Sequence, residues 1–158
     1  MVLLFVYLGI AIAVSFLCSI LEAVLLSVTP SYVESIKDEK PGLEEKFSKL
    51  KADIDRPLAA ILSLNTIAHT VGAAGVGAQA ALVFGEASLG IVSAVLTLLI
   101  LVFSEIIPKT LGATYWRGLT GFTANTLGVL IILMYPLVLM SQAITKILSR
   151  GKKETSVS

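Results

Sequence analysis

Val102-Phe103-Ser104-Glu105-Ile106-Ile107-Pro108-Lys109 closes an apolar run that begins near Leu89. At about 1.5 Å per residue, that run is long enough to cross a bilayer. A carboxylate and a proline therefore sit inside a membrane helix. An ionisable side chain there costs about 3 kcal/mol or more and marks a functional site by default. Pro108 has no N–H, so the carbonyl four residues back, that of Ser104, loses its helical partner. One carboxylate and one free backbone oxygen then stand side by side, the donor type that hard cations such as Mg²⁺ and Ca²⁺ prefer. The same residues also allow a plainer reading, a proline kink with Glu105 capped by Lys109 at the membrane interface.

Composition agrees with a membrane location. Of 158 residues, 56% are hydrophobic and only 15% charged, which separates the chain from soluble domains. The lone cysteine, Cys18, lies in an apolar run and permits no internal disulfide, so it reads as a packing residue. A net charge of +1 offers no basic surface for nucleic acid. The first apolar run, Val2–Val28, lacks a basic leader region and a clear cleavage site and exceeds a usual signal core. It reads as a retained span.

Four apolar stretches stand out: 2–28, 58–84, 89–107 and 121–148. The second and third are separated only by Gly85-Glu86-Ala87-Ser88, a tight hairpin. All 12 basic residues fall in the 29–56 loop, the 109–120 joint or the end of the chain, and none in the Gly85–Ser88 turn. The positive-inside rule puts those basic segments in the cytosol, and the turn and N-terminus outside. The fourth stretch then begins and ends on one side. It is expected to be a helical hairpin broken at Tyr135-Pro136, since the residue before proline is pushed out of the helical region; a fourth full span with an external basic tail is the alternative. Residues 149–158 are expected to form a polar, disordered cytosolic tail.

The first loop is patterned. Val33, Ile36, Leu43, Phe47, Leu50 and Ile54 recur at helical spacing, and Pro41-Gly42 divides them into two amphipathic helices along the membrane face. In the second stretch, Gly72-Ala73-Ala74-Gly75-Val76-Gly77-Ala78 presents small residues three and four apart, which supports close helix packing and a homodimer.

Polar groups converge by depth. Taking cytosolic ends at Val28, Leu58 and Thr110, Ser19 lies about 14 Å in, Glu22 about 9 Å, Asn65 about 10 Å, His69 about 16 Å and Glu105 about 8 Å. Ser15 and Ser19 share a stripe with Glu22, and Asn65 shares one with His69. Each has a plainer role: the serines bonding their own helix, Asn65 and His69 bridging helices, Glu22 pairing with Lys109. Gln79 and Asn125 have no evident partners and read as packing groups. A carboxylate among serine, asparagine and backbone oxygens suits a hard ion, without the thiolates or multiple histidines of zinc and copper sites. An enzyme is not expected, because a serine–histidine hydrolase would also need a group to orient His69 and an oxyanion hole.

Several of these residues carry a resemblance. Ser19-x-x-Glu22-Ala23 followed by Ser27, Asp55-Arg56-Pro57, Asn65-Thr66 and Glu105-Ile106-Ile107-Pro108-Lys109 resemble the transmembrane domain of the CNNM/CorC family of magnesium transporters, over about residues 3–148. The resemblance implies a homodimeric plasma-membrane domain with three crossings, a cytosolic helical hairpin and a juxtamembrane helical belt. It implies Mg²⁺ bound within the membrane and exported, often with Na⁺ as coupling ion. Two positions depart from the family pattern: Ser104 stands where glycine is usual, and His69 where asparagine often follows. Members usually continue into a paired CBS regulatory module, which is absent here; a piece of a longer protein and a minimal member without nucleotide regulation both fit.

The expectation is thus an all-α integral membrane domain over residues 1–148, with juxtamembrane helices at 29–57 and the hairpin at 121–148. It would move Mg²⁺ across the bilayer, an ion-binding scaffold or sensor without transport being the alternative. Ser15, Ser19, Asn65, Ser104 and Glu105 are the expected ion ligands, with Glu22, His69, Pro108 and Lys109 supporting them. The lipid bilayer and a second copy are the expected partners.

Overall fold

A computed structural model describes residues 1–153. Seven α-helices follow in order: α1 Val2–Ser27, α2 Pro30–Ser35, α3 Pro41–Ala52, α4 Asp55–Phe84, α5 Leu89–Leu99, α6 Ile107–Leu133 and α7 Tyr135–Lys153. A 3₁₀ turn, Glu86–Ser88, links α4 to α5, and a π-helical stretch, Ile100–Ile106, joins α5 to α6 without a break. Among the described residues there is no strand. Among the described residues three helical rods are long and apolar enough to cross a membrane: Val2–Ser27, Asp55–Phe84 and Glu86–Leu133. The chain is a multi-pass, all-α membrane protein.

Helix α1 is the axis of the bundle, packed against α4 on one side and α6 with the π-helical stretch on the other. Two glycines let backbones approach it. A Cβ at Gly72 would collide with the side chain of Ala11. One at Gly112 would lie 2.8 Å from Ala23 Cβ and 3.0 Å from the carbonyl oxygen of Ile20. Gly75 likewise makes room for the Tyr7 ring. Part of the small-residue run in α4 is therefore used within the chain, seating α4 on α1. Gly85 ends α4 with φ +83°, a conformation only glycine adopts freely, and its N–H returns to the Ala81 carbonyl at 3.0 Å.

The hydrophobic core is concentrated at the end of the bundle where α1 finishes. Leu21, Val24, Leu25 and Val28 are buried there with Val33 of α2, Phe47 and Leu50 of α3, Ala60 and Ile61 of α4, Leu127 of α6 and Val138 of α7. A smaller cluster of Leu4, Val76, Ala80 and Leu96 closes the opposite end. The loop pattern read from the sequence matches this arrangement. Thr29 caps α2 by accepting from the Tyr32 N–H at 3.3 Å, and Pro30 and Pro41 occupy the first turns of α2 and α3.

Met134 and Tyr135-Pro136 turn the chain from α6 into α7, and both arms bury side chains in the same end cluster. The fourth apolar stretch is thus two helical arms, the first continuous with the third rod, that meet at Met134. Two details differ from expectation. The joint at 109–120 is helix rather than loop, marked only by a kink at Tyr115 (φ −103°, ψ 18°). Thr110 and Thr114 donate to the carbonyls of Ile106 and Thr110, both at 2.8 Å, so their hydroxyls are satisfied within the helix. At the other end, Ile144, Ile147 and Leu148 continue helical spacing, and α7 runs on to Lys153, past Ser149 where a disordered tail was expected. Residues 154–158 of that expected tail lie outside the described residues.

A candidate ion site at Glu105

The site begins with a register fault. Over Ile100–Ile106 the third rod is π-helical, and the N–H of Ile107 reaches the Val102 carbonyl, five residues back rather than four. Pro108 lies at the start of the following α-helix, where its missing N–H is tolerated. Such stretches cluster at functional sites because they turn side chains and carbonyls out of the regular ladder. The sequence had suggested a simple proline kink; the wider turn was not legible from Pro108 alone.

The carbonyl of Ser104 is taken up by α1. Ser19 Oγ donates to it at 2.6 Å, and both residues are buried. The hydroxyl of Ser104 bonds inside its own helix, to the Ile100 carbonyl at 2.7 Å. The group that Ser104 offers α1 is therefore its main chain, and its side chain is occupied elsewhere.

Glu105 is the hub. Its Oε1 accepts from Asn65 Nδ2 at 3.2 Å and from Ser15 Oγ at 3.5 Å, and lies 3.7 Å from His69 Nε2. Ser15 Oγ and His69 Nε2 are themselves 2.7 Å apart. The other oxygen, Oε2, is 3.2 Å from Lys109 Nζ, which also stands 3.4 Å from Glu22 Oε2. Lys109 thus bridges carboxylates on two spans. One oxygen of Glu105 faces the polar cluster and the other is capped by Lys109.

Six of the nine expected residues, Ser15, Glu22, Asn65, His69, Glu105 and Lys109, form one connected network; Ser19 and Ser104 form a separate pair beside it, and Pro108 is buried. Asn65 holds one further feature: its Oδ1 is buried and accepts no hydrogen bond, although its Nδ2 is engaged by Glu105. An amide oxygen buried without a partner is an unused acceptor. Among the described residues, no three His, Cys, Asp or Glu side chains are grouped to hold a metal. An ion here must draw on hydroxyl, amide and backbone oxygens around one or two carboxylates, the set suited to a hard cation.

Asn125 is corrected from packing group to tie: its Oδ1 accepts from Lys46 Nζ at 2.6 Å, joining α6 to α3. Gln142 Nε2 donates to Asp53 Oδ2 at 3.0 Å and joins α7 to the α3–α4 corner. Both links span more than 75 residues, so no local spacing announced them.

Comparison with known proteins agrees with this architecture. The family model described as the cyclin M (CNNM) transmembrane N-terminal domain matches residues 6–158. The chain is 34% identical over 142 residues to a UPF0053 protein of Synechocystis sp., covering 90% of this chain and 41% of that protein. It is 30% identical over 143 residues to a UPF0053 protein of Haemophilus influenzae, covering 90% of this chain and 34% of the relative. It is 33% identical over 106 residues to the UPF0053 inner membrane protein YfjD of Escherichia coli, covering 67% and 25%. The chain spans less than half the length of each of these relatives.

Proposed function

The chain belongs to the family of cyclin M transmembrane domains, and on that premise we propose that it binds a divalent cation, Mg²⁺, as transported substrate at the Glu105 layer. The observation that carries this reading is the meeting of Glu105 with the Ser15 hydroxyl of α1 and the Asn65 amide of α4, whose own Oδ1 is buried and unpaired. Glu105 supplies negative charge, Asn65 and the Ser15/Ser19 pair supply neutral oxygens, and the second lone pair of the Ser104 carbonyl remains for the ion. Lys109 is the resident counter-cation. As the ion approaches Glu105, the Lys109 ammonium withdraws toward Glu22, already 3.4 Å away. The dication thus enters without leaving two carboxylates uncompensated.

Transport requires the layer to open to each side in turn, and the π-helical stretch beside it gives the third rod a place to change pitch. The direction proposed is export, with Na⁺ as the coupling ion, from a homodimer in the plasma membrane. The basic segments then face the cytosol and the Gly85–Ser88 turn faces out. His69 stands at the edge of the cluster, with its Nε2 2.7 Å from Ser15 Oγ.

Flux in proteoliposomes tests the proposal. Mg²⁺ loaded on one side should leave with a rate that depends on Glu105 and on a Na⁺ gradient. Site-dependent binding with no flux under any gradient would replace transport with an ion-sensing role.

A further inference from the structure

A second polar feature lies away from the Glu105 cluster. A cavity of about 470 Å³ opens where α3 and the first turn of α4 meet the second half of α6. Lys46, Lys49, Asp53 and Arg56 border one side, and Val129 and Ile132 border the other. Three cations against one carboxylate leave this rim positive. Lys46 is held by a neutral partner, Asn125 Oδ1, so its charge is uncompensated. Lys49 pairs with Glu45 at 2.7 Å, a contact between two largely exposed groups one helical turn apart. It holds the Glu45 carboxyl below the usual range and is readily exchanged. Among the described residues Arg56 makes no ion pair. Asp53 is engaged by Gln142.

The opposite wall has a different character. Val129 and Ile132 are 67% and 76% exposed and lie on a membrane helix, one turn apart. Arg56 sits in the first turn of α4, where that helix enters its apolar run. With the start of α4 at the membrane boundary, the rim would lie at headgroup depth and the exposed wall at acyl depth. We infer that this cavity is a binding site for an anionic phospholipid: the phosphodiester sits against Lys46, Lys49 and Arg56, and an acyl chain lies along Val129 and Ile132. Charge complementarity selects an anionic headgroup, and the apolar wall distinguishes a lipid from a free phosphate, which would use the rim alone. Occupancy would brace α3 against α6, beside the Lys46–Asn125 tie. The inference is independent of the ion reading.

Native mass spectrometry of the detergent-purified protein tests it, with phosphatidylglycerol, phosphatidylcholine of identical chains, and inorganic phosphate as probes. Phosphatidylglycerol should be retained at least about tenfold better than phosphatidylcholine. Lys49→Gln and Arg56→Gln, both at exposed positions, should each weaken phosphatidylglycerol retention about fivefold and leave phosphatidylcholine unchanged. Val129→Trp fills the apolar wall with the rim charges intact and should also release the lipid. Equal retention of the two lipids, an unaltered phosphatidylglycerol affinity in both Lys49→Gln and Arg56→Gln, or competition by inorganic phosphate alone would each overturn the site. So would efficient disulfide cross-linking between copies at Ile132→Cys in native membranes, which would assign the groove to a second copy.

Discussion

Replacing Glu105 by glutamine separates its two roles. Glutamine keeps the shape of the side chain, and its amide oxygen retains the bond from Asn65 Nδ2, now 3.2 Å from Oε1. What disappears is the charge facing Lys109. Glu105 is 21% exposed and Lys109 45%, so their ion pair is partly in water and contributes about 1 kcal/mol or less. Without Mg²⁺, the variant should therefore unfold only slightly earlier than the parent. With Mg²⁺ the difference should be larger. At a hundred times Kd, a ligand that binds only the folded state adds about 2.7 kcal/mol. A dication deprived of its nearest carboxylate, if held about a thousandfold more weakly, would fall to a tenth of Kd and add less than about 0.1 kcal/mol. Thermal unfolding in detergent, with and without Mg²⁺, reads both quantities, and size-exclusion chromatography checks that the variant is folded. Glu22→Gln should lower the Mg²⁺ increment less, since Glu22 reaches the cluster only through Lys109. A Glu105→Gln protein with the full Mg²⁺ increment would place the ion elsewhere and refute the argument.

Three further expectations follow from the packing. Ser19→Ala removes the donor to the buried Ser104 carbonyl and should cost about 1–3 kcal/mol in thermal unfolding without any ion, more than Glu105→Gln under the same conditions. Gly112→Val should destabilise by about 1–3 kcal/mol or more, because its Cβ would meet Ala23 and the Ile20 carbonyl; Gly118→Ala, with open space around it, should be neutral or stabilising by up to about 1 kcal/mol. Single cysteines placed in Gly85–Ser88 should react with an impermeant maleimide in intact cells, and those in Lys37–Lys51 only after permeabilisation. The reverse pattern would invert the proposed orientation.

The readings that held rest on short-range rules. Apolar length located the first two rods and the start of the third, Pro41 split the first loop, and Tyr135-Pro136 marked the junction of α6 and α7, because each depends on residues within a turn of one another. The meeting of Ser15, Asn65, His69 and Glu105 was anticipated because a polar side chain in a span is costly, so its presence alone carries information. The remaining features depended on long-range packing. The π-helical register at Ile100–Ile106 reflects how the third rod meets α1, and nothing in ILVFSEI encodes it. Lys109 bridging Glu22 and Glu105 needed the relative rotation of two helices; the sequence offered each pair as a separate possibility. The helical joint around Tyr115 looked like a loop because it is polar, yet its threonines bond back along the helix.

The Ser19–Ser104 contact carries a consequence for how such sequences drift. Ser19 recognises an atom that every amino acid possesses, while the hydroxyl of Ser104 is turned back to Ile100. Position 104 is thus constrained in volume, being fully buried, and unconstrained in chemistry. Glycine, alanine and serine are interchangeable spellings of the same contact, and the exchange of glycine for serine is a silent step. Position 19 has no such freedom, because only a hydroxyl there completes the bond. In a collection of variants selected for function, residue 104 should wander among small side chains while residue 19 stays serine or threonine.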